Sequence, residues 1–207
     1  DDFGNVENNV FANNNSQLLG DVVQSMNIIY DNAYIVVNNS AKIEVASVDS
    51  MMHITTIDAV QPRYIEQVSE NKAYVTDWGI NGVQVIDLTT NTITSTIACG
   101  VGPEDIVESN GFAYICNTGG LSVDNTVSVI DINTDQVVNT ITVGDKPASI
   151  VVDANDAVWV LSGGYTEYDP NDWSIISQTQ GSLVKIVNNS IVLNITFPLG
   201  NNPSDLI

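Results

Sequence analysis

A short β pattern recurs four times along this chain and restricts it to a repeat architecture. Ala33-Tyr34-Ile35-Val36, Ala73-Tyr74-Val75-Thr76, Ala113-Tyr114-Ile115-Cys116 and Ala157-Val158-Trp159-Val160 follow one another at intervals of 40, 40 and 44 residues. A second alternating run follows each: 42–45, 83–86, 127–130 and 183–186. The middle units show a third, at 92–97 and 136–141, and each unit closes on a proline: Pro62, Pro103, Pro147 or Pro203. Period-two alternation punctuated by Asn, Gly, Asp and Pro marks half-buried strands joined by tight turns. A period near 40 built only from short β runs predicts propeller blades of four strands each.

The expected fold is therefore all-β, a β-propeller of four-stranded antiparallel blades, seven when complete and about four and a half in this chain. The expected divisions are a partial blade over 1–19, blades over 20–60, 61–101, 102–145 and 146–200, and the start of another over 201–207. Asp2-Phe3-Gly4-Asn5-Val6 aligns with the turn Asp87-Leu88-Thr89-Thr90-Asn91, so a D strand is expected before residue 20. By this count the chain reads as a segment of a longer propeller.

Charge narrows the partners. With 25 acidic and 5 basic side chains the formal charge is −20, which repels nucleic acid and anionic lipid headgroups. No stretch approaches the ~18 apolar residues of a membrane span, so direct insertion is not expected. No signal-peptide pattern is present, and an export signal or lipid anchor would have been removed or lie outside this sequence. Cys99 and Cys116 do not form a disulfide framework; two separate thiols are expected, with one bridge as the alternative.

Ala73-Tyr74-Val75-Thr76-Asp77 resembles the motif of the YVTN family of propeller repeats. Gly100-Val101-Gly102-Pro103 and Gly144-Asp145-Lys146-Pro147 resemble its inter-blade turn. The stretch from Leu19 to Met26, with Tyr34–Ser40 and Ile43-Glu44-Val45, is similar to surface-layer-like propeller proteins exported by Bacteroidota. Some of those are outer-membrane lipoproteins that capture cobalamin beside its transporter. The resemblance implies the extracellular face of the outer membrane, with a TonB-dependent transporter or another membrane protein complex as partner. It transfers no ligand-contacting residue, because the motif residues are structural.

Ligands of propellers usually enter where the B–C and D–A loops converge. The B–C loops lengthen along the chain: 38–40, 77–82, 118–125 and 162–181. A loop near 20 residues is long enough to suggest function. Trp78, between Gly-containing turns, and the group Tyr165, Tyr168 and Trp173 are candidates for contact with a sugar, a corrin-like ring or a protein. The alternative is that they pack the loops onto their own blades. Arg63-Tyr64, holding the sole arginine, is expected at a D–A position. Arg63 would either anchor a ligand oxygen or pair with Glu104 or Asp105 one blade on. Gln24, Asp77 and Asn117 are expected to line the same mouth.

Catalysis lacks its parts. His53 is the only histidine and falls on an expected outer strand, and no G-x-S-x-G, H-E-x-x-H or C-x-x-C motif occurs. No cofactor is expected, with calcium between Asp169 and Asp172 as an alternative, although their spacing is not that of an EF-hand. Asp49-Ser50-Met51 matches a short pattern of O-glycosylation in the resembling exported proteins, which marks Ser50 as a modification candidate. The expectation is a non-enzymatic surface module that captures a small molecule or glycan. A structural subunit of a membrane complex and a metal-dependent propeller hydrolase or lyase are the alternatives.

Overall fold

Turn chemistry decides where the alternating runs fold back. Asp87 Oδ1 accepts the Thr89 amide at 2.7 Å and Asp131 Oδ1 accepts that of Asn133 at 2.8 Å, so each run ends in an aspartate-capped turn. These turns finish on left-handed residues, Asn91 at φ 53° and Asp135 at φ 56°, which short polar side chains tolerate. The computed structural model describes residues 7–206. The expected C–D turn at 2–6 lies outside the described residues.

Among the described residues four four-stranded antiparallel sheets result, each with its strands in chain order. Blade 1 holds β1 (Val23–Ile29), β2 (Asn32–Val37), β3 (Lys42–Ser47) and β4 (His53–Asp58). Blade 2 holds β5 (Pro62–Ser69), β6 (Lys72–Asp77), β7 (Gly82–Asp87) and β8 (Thr92–Ala98). Blade 3 holds β9 (Pro103–Ser109), β10 (Phe112–Asn117), β11 (Thr126–Asp131) and β12 (Gln136–Thr142). Blade 4 begins with β13 (Pro147–Val152) and β14 (Val158–Ser162); a separate hairpin of β15 (Thr166–Tyr168) and β16 (Ile175–Gln178) precedes β17 (Ser182–Val187) and β18 (Ser190–Thr196). Three of the repeat prolines open inner strands, where a missing N–H costs the ladder nothing.

The blades pack face to face. Tyr34, Val36, Ile43 and Val45 of blade 1 meet Ile65, Ala73, Val75 and Ile86 of blade 2, and the pattern repeats between blades 2 and 3 and blades 3 and 4. A polar contact crosses each interface. Tyr34 Oη donates to Asn91 Oδ1 at 2.6 Å, Tyr74 Oη to Asp135 Oδ1, and Tyr114 Oη to Asn189 Oδ1 at 2.5 Å. Every acceptor is the left-handed residue of the next blade's C–D turn.

The fourth unit departs from the expected register. Val158 and Val160 face blade 3, so they occupy the places of Ala113 and Ile115, and Trp159 takes the place of Tyr114. Pairing agrees, because Tyr114 lies opposite Val107 and Trp159 opposite Val151. The A–B connection explains the slip: the 153–157 turn is one residue longer than its counterpart at 109–112. Trp159 Nε1 therefore donates at 2.9 Å to Asp153 within its own blade, where Lys185 also pairs with that carboxylate at 3.1 Å.

The segment before residue 20 corrects another expectation. Among the described residues it carries helix α1 (Val10–Asn15) and no D strand. The asparagine run favours side-chain capping over strand alternation: Asn14 donates to Ser50 O at 2.7 Å, and Asn15 donates to Met51 O and accepts His53 N, both at 2.7 Å. Buried Phe11 packs edge-on to His53, and Leu19 covers Ala33, Ile35 and Val37. The strap thus covers the blade 1 face turned away from blade 2.

Removing one inter-blade hydroxyl tests the latch. Tyr74→Phe is expected to cost about 1–2 kcal/mol in urea unfolding, lowering Tm by roughly 2–8 °C for a chain of this size. Tyr168→Phe, whose ring lies half-exposed on the hairpin, changes neither.

Candidate functional site

Arg63 sits at the start of β5 and joins three blades. Its Nε and Nη2 grip the Glu104 carboxylate at 2.9 and 2.6 Å, and Nη1 donates to Gln24 Oε1 at 2.8 Å. The guanidinium carbon lies 4.2 Å from the Trp78 ring centroid. A bidentate, largely buried pair leaves Arg63 as a brace behind the loops. Of its two sequence-level roles, the structure shows the pairing with Glu104.

Trp78 forms one wall of a cleft of about 540 Å3 between the B–C loops of blades 2 and 3. The other lining residues are Asn38, Gln61, Asn81, Val101, Gly102, Gly119, Gly120, Leu121 and Ser122, none of them charged. Gly102 is needed for closeness. A Cβ on Gly102, whose φ is +59°, would stand 2.1 Å from the Gly120 nitrogen, and one on Gly120 would reach the indole at 3.6 Å. Trp78 Nε1 is buried and has no hydrogen-bond partner among the described residues. An unpaired buried N–H is costly, so this donor stands out.

The other sequence candidates are dispersed. Asp77 is fully buried and caps the amides of Val60, Gln61 and Gly79 at 3.0, 2.9 and 2.8 Å, fixing the turn that carries Trp78. Asn117 is likewise buried, bound to Thr126 and Ser128 hydroxyls at 2.9 Å each. Both were expected at the mouth, but backbone amides draw Asp77 and side-chain hydroxyls draw Asn117 beneath it. The Tyr64 side chain packs on the core between blades 2 and 3, and burial is the main cause raising its hydroxyl pKa.

The fourth B–C loop is not an irregular loop. Residues 166–178 form the β15–β16 hairpin, with Tyr165 N donating to Thr179 Oγ1 at 2.9 Å beside it. Lys146 connects this hairpin to the cleft: its Nζ lies 6.0 Å from the Tyr165 ring centroid and donates to Gly120 O at 3.0 Å and to Ser122 O. Tyr168 and Trp173 stand away from the cleft, 49% and 76% exposed. Asp169 and Asp172 cap the local turns through the amides of Asn171 and Ser174, which holds both carboxyls below their usual range. No group of three His, Cys, Asp or Glu side chains is placed to hold a metal among the described residues.

Sequence reasoning found Trp78 but missed its companions. Gln61, Gly102 and Lys146 each precede an inner-strand proline, which was the available signal that these positions share one face. Ser50 is exposed in the blade 1 C–D turn. His53 lies 3.2 Å from buried Glu44. Cys99 and Cys116 are both free, and burial pushes the Cys99 thiol up to about 12.

Residues 1–191 match the family described as "Domain of unknown function (DUF5074)". The chain belongs to the DUF5074 family. Among curated proteins, none matches it significantly. This DUF5074 chain is similar in fold to Kuenenia stuttgartiensis hydrazine synthase, with TM-score 0.68 and 16% identity over 81% of this chain and 46% of the other. It is also similar to dihydro-heme d1 dehydrogenase NirN in complex with DHE, with TM-score 0.64 and 13% identity over 89% and 39% of the two chains. The Neurospora crassa Pan2 WD40 domain gives TM-score 0.64 and 14% identity over 84% and 52%. The chain spans about half or less of these structures' lengths. At such identities the likeness shows the fold, an all-β propeller.

Carboxylates also line the inner strands. Asn27 donates to Glu66 Oε2 at 3.1 Å, yet burial pushes Glu66 up to about 7, and Asp105 and Glu108 add repulsion. Burial likewise raises Asp105 to about 6, against the amides of Ile150 and Ile106. A carboxyl raised on folding binds its proton more tightly in the native state. Its stabilisation is present below pH 4.5 and is lost as pH rises through about 7. Between pH 4.5 and 7.5, wild type is expected to lose about 1–3 kcal/mol more than Glu66→Gln, measured by urea titration at each pH.

Proposed function

We propose that this DUF5074 chain is a non-enzymatic binding module that holds a small ligand in the Trp78 cleft. The observation that carries the reading is the uncharged cleft of about 540 Å3 walled by the Trp78 indole, a volume that suits a small-molecule site. Its loops are held by Arg63, Asp77 and Lys146, and such pre-organisation lowers the ordering cost of binding. Resemblance to exported Bacteroidota propellers supports display on the extracellular face of the outer membrane, with the β15–β16 hairpin projecting beside the cleft. Ser50, exposed in its turn, is the glycosylation site of this reading.

A second reading assigns the hairpin to protein. Trp173, Ile175 and Ile176 are exposed together at its far end, an apolar tip suited to docking on an outer-membrane transporter or assembly. Co-purification with a stoichiometric barrel protein, lost in Trp173→Ala, would favour it.

Thermal-shift measurements with cobalamins, neutral oligosaccharides and short peptides test the first reading. At least one ligand should raise Tm by several degrees, as mass action requires. The shift should vanish in Trp78→Ala and shrink in Leu121→Ala, whose side chain is fully exposed at the rim. No shift with any of these ligands, or a shift unchanged in both variants, overturns the proposal.

A further inference from the structure

The chemistry of the cleft goes further than its existence. Every charge near it is already engaged. Arg63 is held by Glu104, and Lys146 is held by the carbonyls of Gly120 and Ser122. Asp124 caps the amides of Val101, Asn125 and Thr126 at 2.9, 2.7 and 3.0 Å. A cationic ligand would enter without a free carboxylate, and an anionic one would reach the Lys146 ammonium only in competition with its two carbonyl partners.

What remains free is neutral and polar. Asn38 uses Nδ2 on Pro62 O at 3.0 Å, and Asn81 uses Oδ1 on the Gly102 amide at 3.1 Å. Among the described residues this leaves Asn38 Oδ1, Asn81 Nδ2 and the exposed Gln61 amide for a ligand. Val101 and Leu121 add apolar wall, both exposed. Mixed donors and acceptors around apolar surface match a molecule with hydroxyl edges and an apolar face.

We infer that the Trp78 cleft recognises an uncharged saccharide, its hydroxyls read by Asn38, Gln61 and Asn81 and its apolar face set against the cleft wall that includes the Trp78 indole. The inference rests on the cleft being the binding site. A peptide is disfavoured by the backbone around the cleft. Trp78 N donates to Gln61 O at 3.0 Å, Thr118 N to Gly102 O at 3.0 Å and Gly119 N to Val101 O at 2.8 Å. No free strand edge remains there for an extended chain to join. An acidic sugar is disfavoured because the Lys146 ammonium is already turned to the Gly120 and Ser122 carbonyls.

Calorimetric titration separates these cases, using maltotriose, cellotriose, mannotriose and triacetylchitotriose against trigalacturonate and trialanine. At least one neutral trisaccharide should bind with a micromolar to millimolar Kd, and trigalacturonate at least tenfold more weakly. Asn81→Asp keeps the acceptor for Gly102 but removes the amide donor, and should weaken the neutral sugar about tenfold. Gln61→Ala, on an exposed side chain, should weaken it severalfold without altering Tm. Binding of trialanine or trigalacturonate in preference to every neutral sugar overturns the saccharide assignment. So does neutral-sugar binding unchanged in both variants. If none of the six binds while another ligand gives a Trp78-dependent thermal shift, the saccharide assignment falls and the binding-module reading stands.

Discussion

The tyrosine hydroxyl that crosses each blade interface is the contact on which the array depends. Blade faces of Val, Ile and Ala supply non-directional burial, which by itself lets stacked sheets slide. Tyr34, Tyr74 and Tyr114 end that freedom by reaching a single oxygen on the next blade's C–D turn. The acceptor is exact in place because its residue is held left-handed: Asn91, Asp135 and Asn189 all have φ between 53° and 59°. One side chain thereby couples a strand, a turn and the neighbouring blade. The same coupling explains why the tyrosine and the turn residue recur together along the chain.

That rigidity sets the conditions for the loop face. Arg63 contacts Gln24 in blade 1 and Glu104 in blade 3, so its geometry holds only if the blade spacing does. Trp78 lies against this guanidinium, with the Gly102 and Gly120 backbones close by. The indole is thus fixed before any ligand arrives. Asp77 and Asn117 belong to the same support: buried, hydrogen-bonded and shaping loops they do not themselves extend.

How legible this was in the sequence followed the kind of force involved. Alternation and turn residues are local signals, and they marked the strands of all four blades to within a few residues. The repeat register failed at Trp159, because one extra residue in the 153–157 turn shifts the strand without changing its apolar character. The first segment failed for another reason. Asn14 and Asn15 act by capping a turn more than thirty residues away, and no local pattern reveals such a partner. Trp78 was legible as an aromatic among glycines. The roles of Asp77, Asn117 and Tyr64 were not, since burial beneath a loop depends on the loop's path.

Charge is distributed in keeping with this division of labour. Most of the 25 acidic residues repel one another, and at the inner strands Asp105 is close enough to raise the proton affinity of Glu66. The cleft is arranged otherwise, because each nearby ion is matched to a counter-ion or to backbone groups. Beyond a screening length of ~8 Å the net charge of the protein is felt only weakly. The surroundings of the cleft are therefore set by neighbours within hydrogen-bond reach, and those neighbours offer amides and apolar wall. A protein whose overall field is strongly negative thus presents a locally neutral surface at the place where its loops converge.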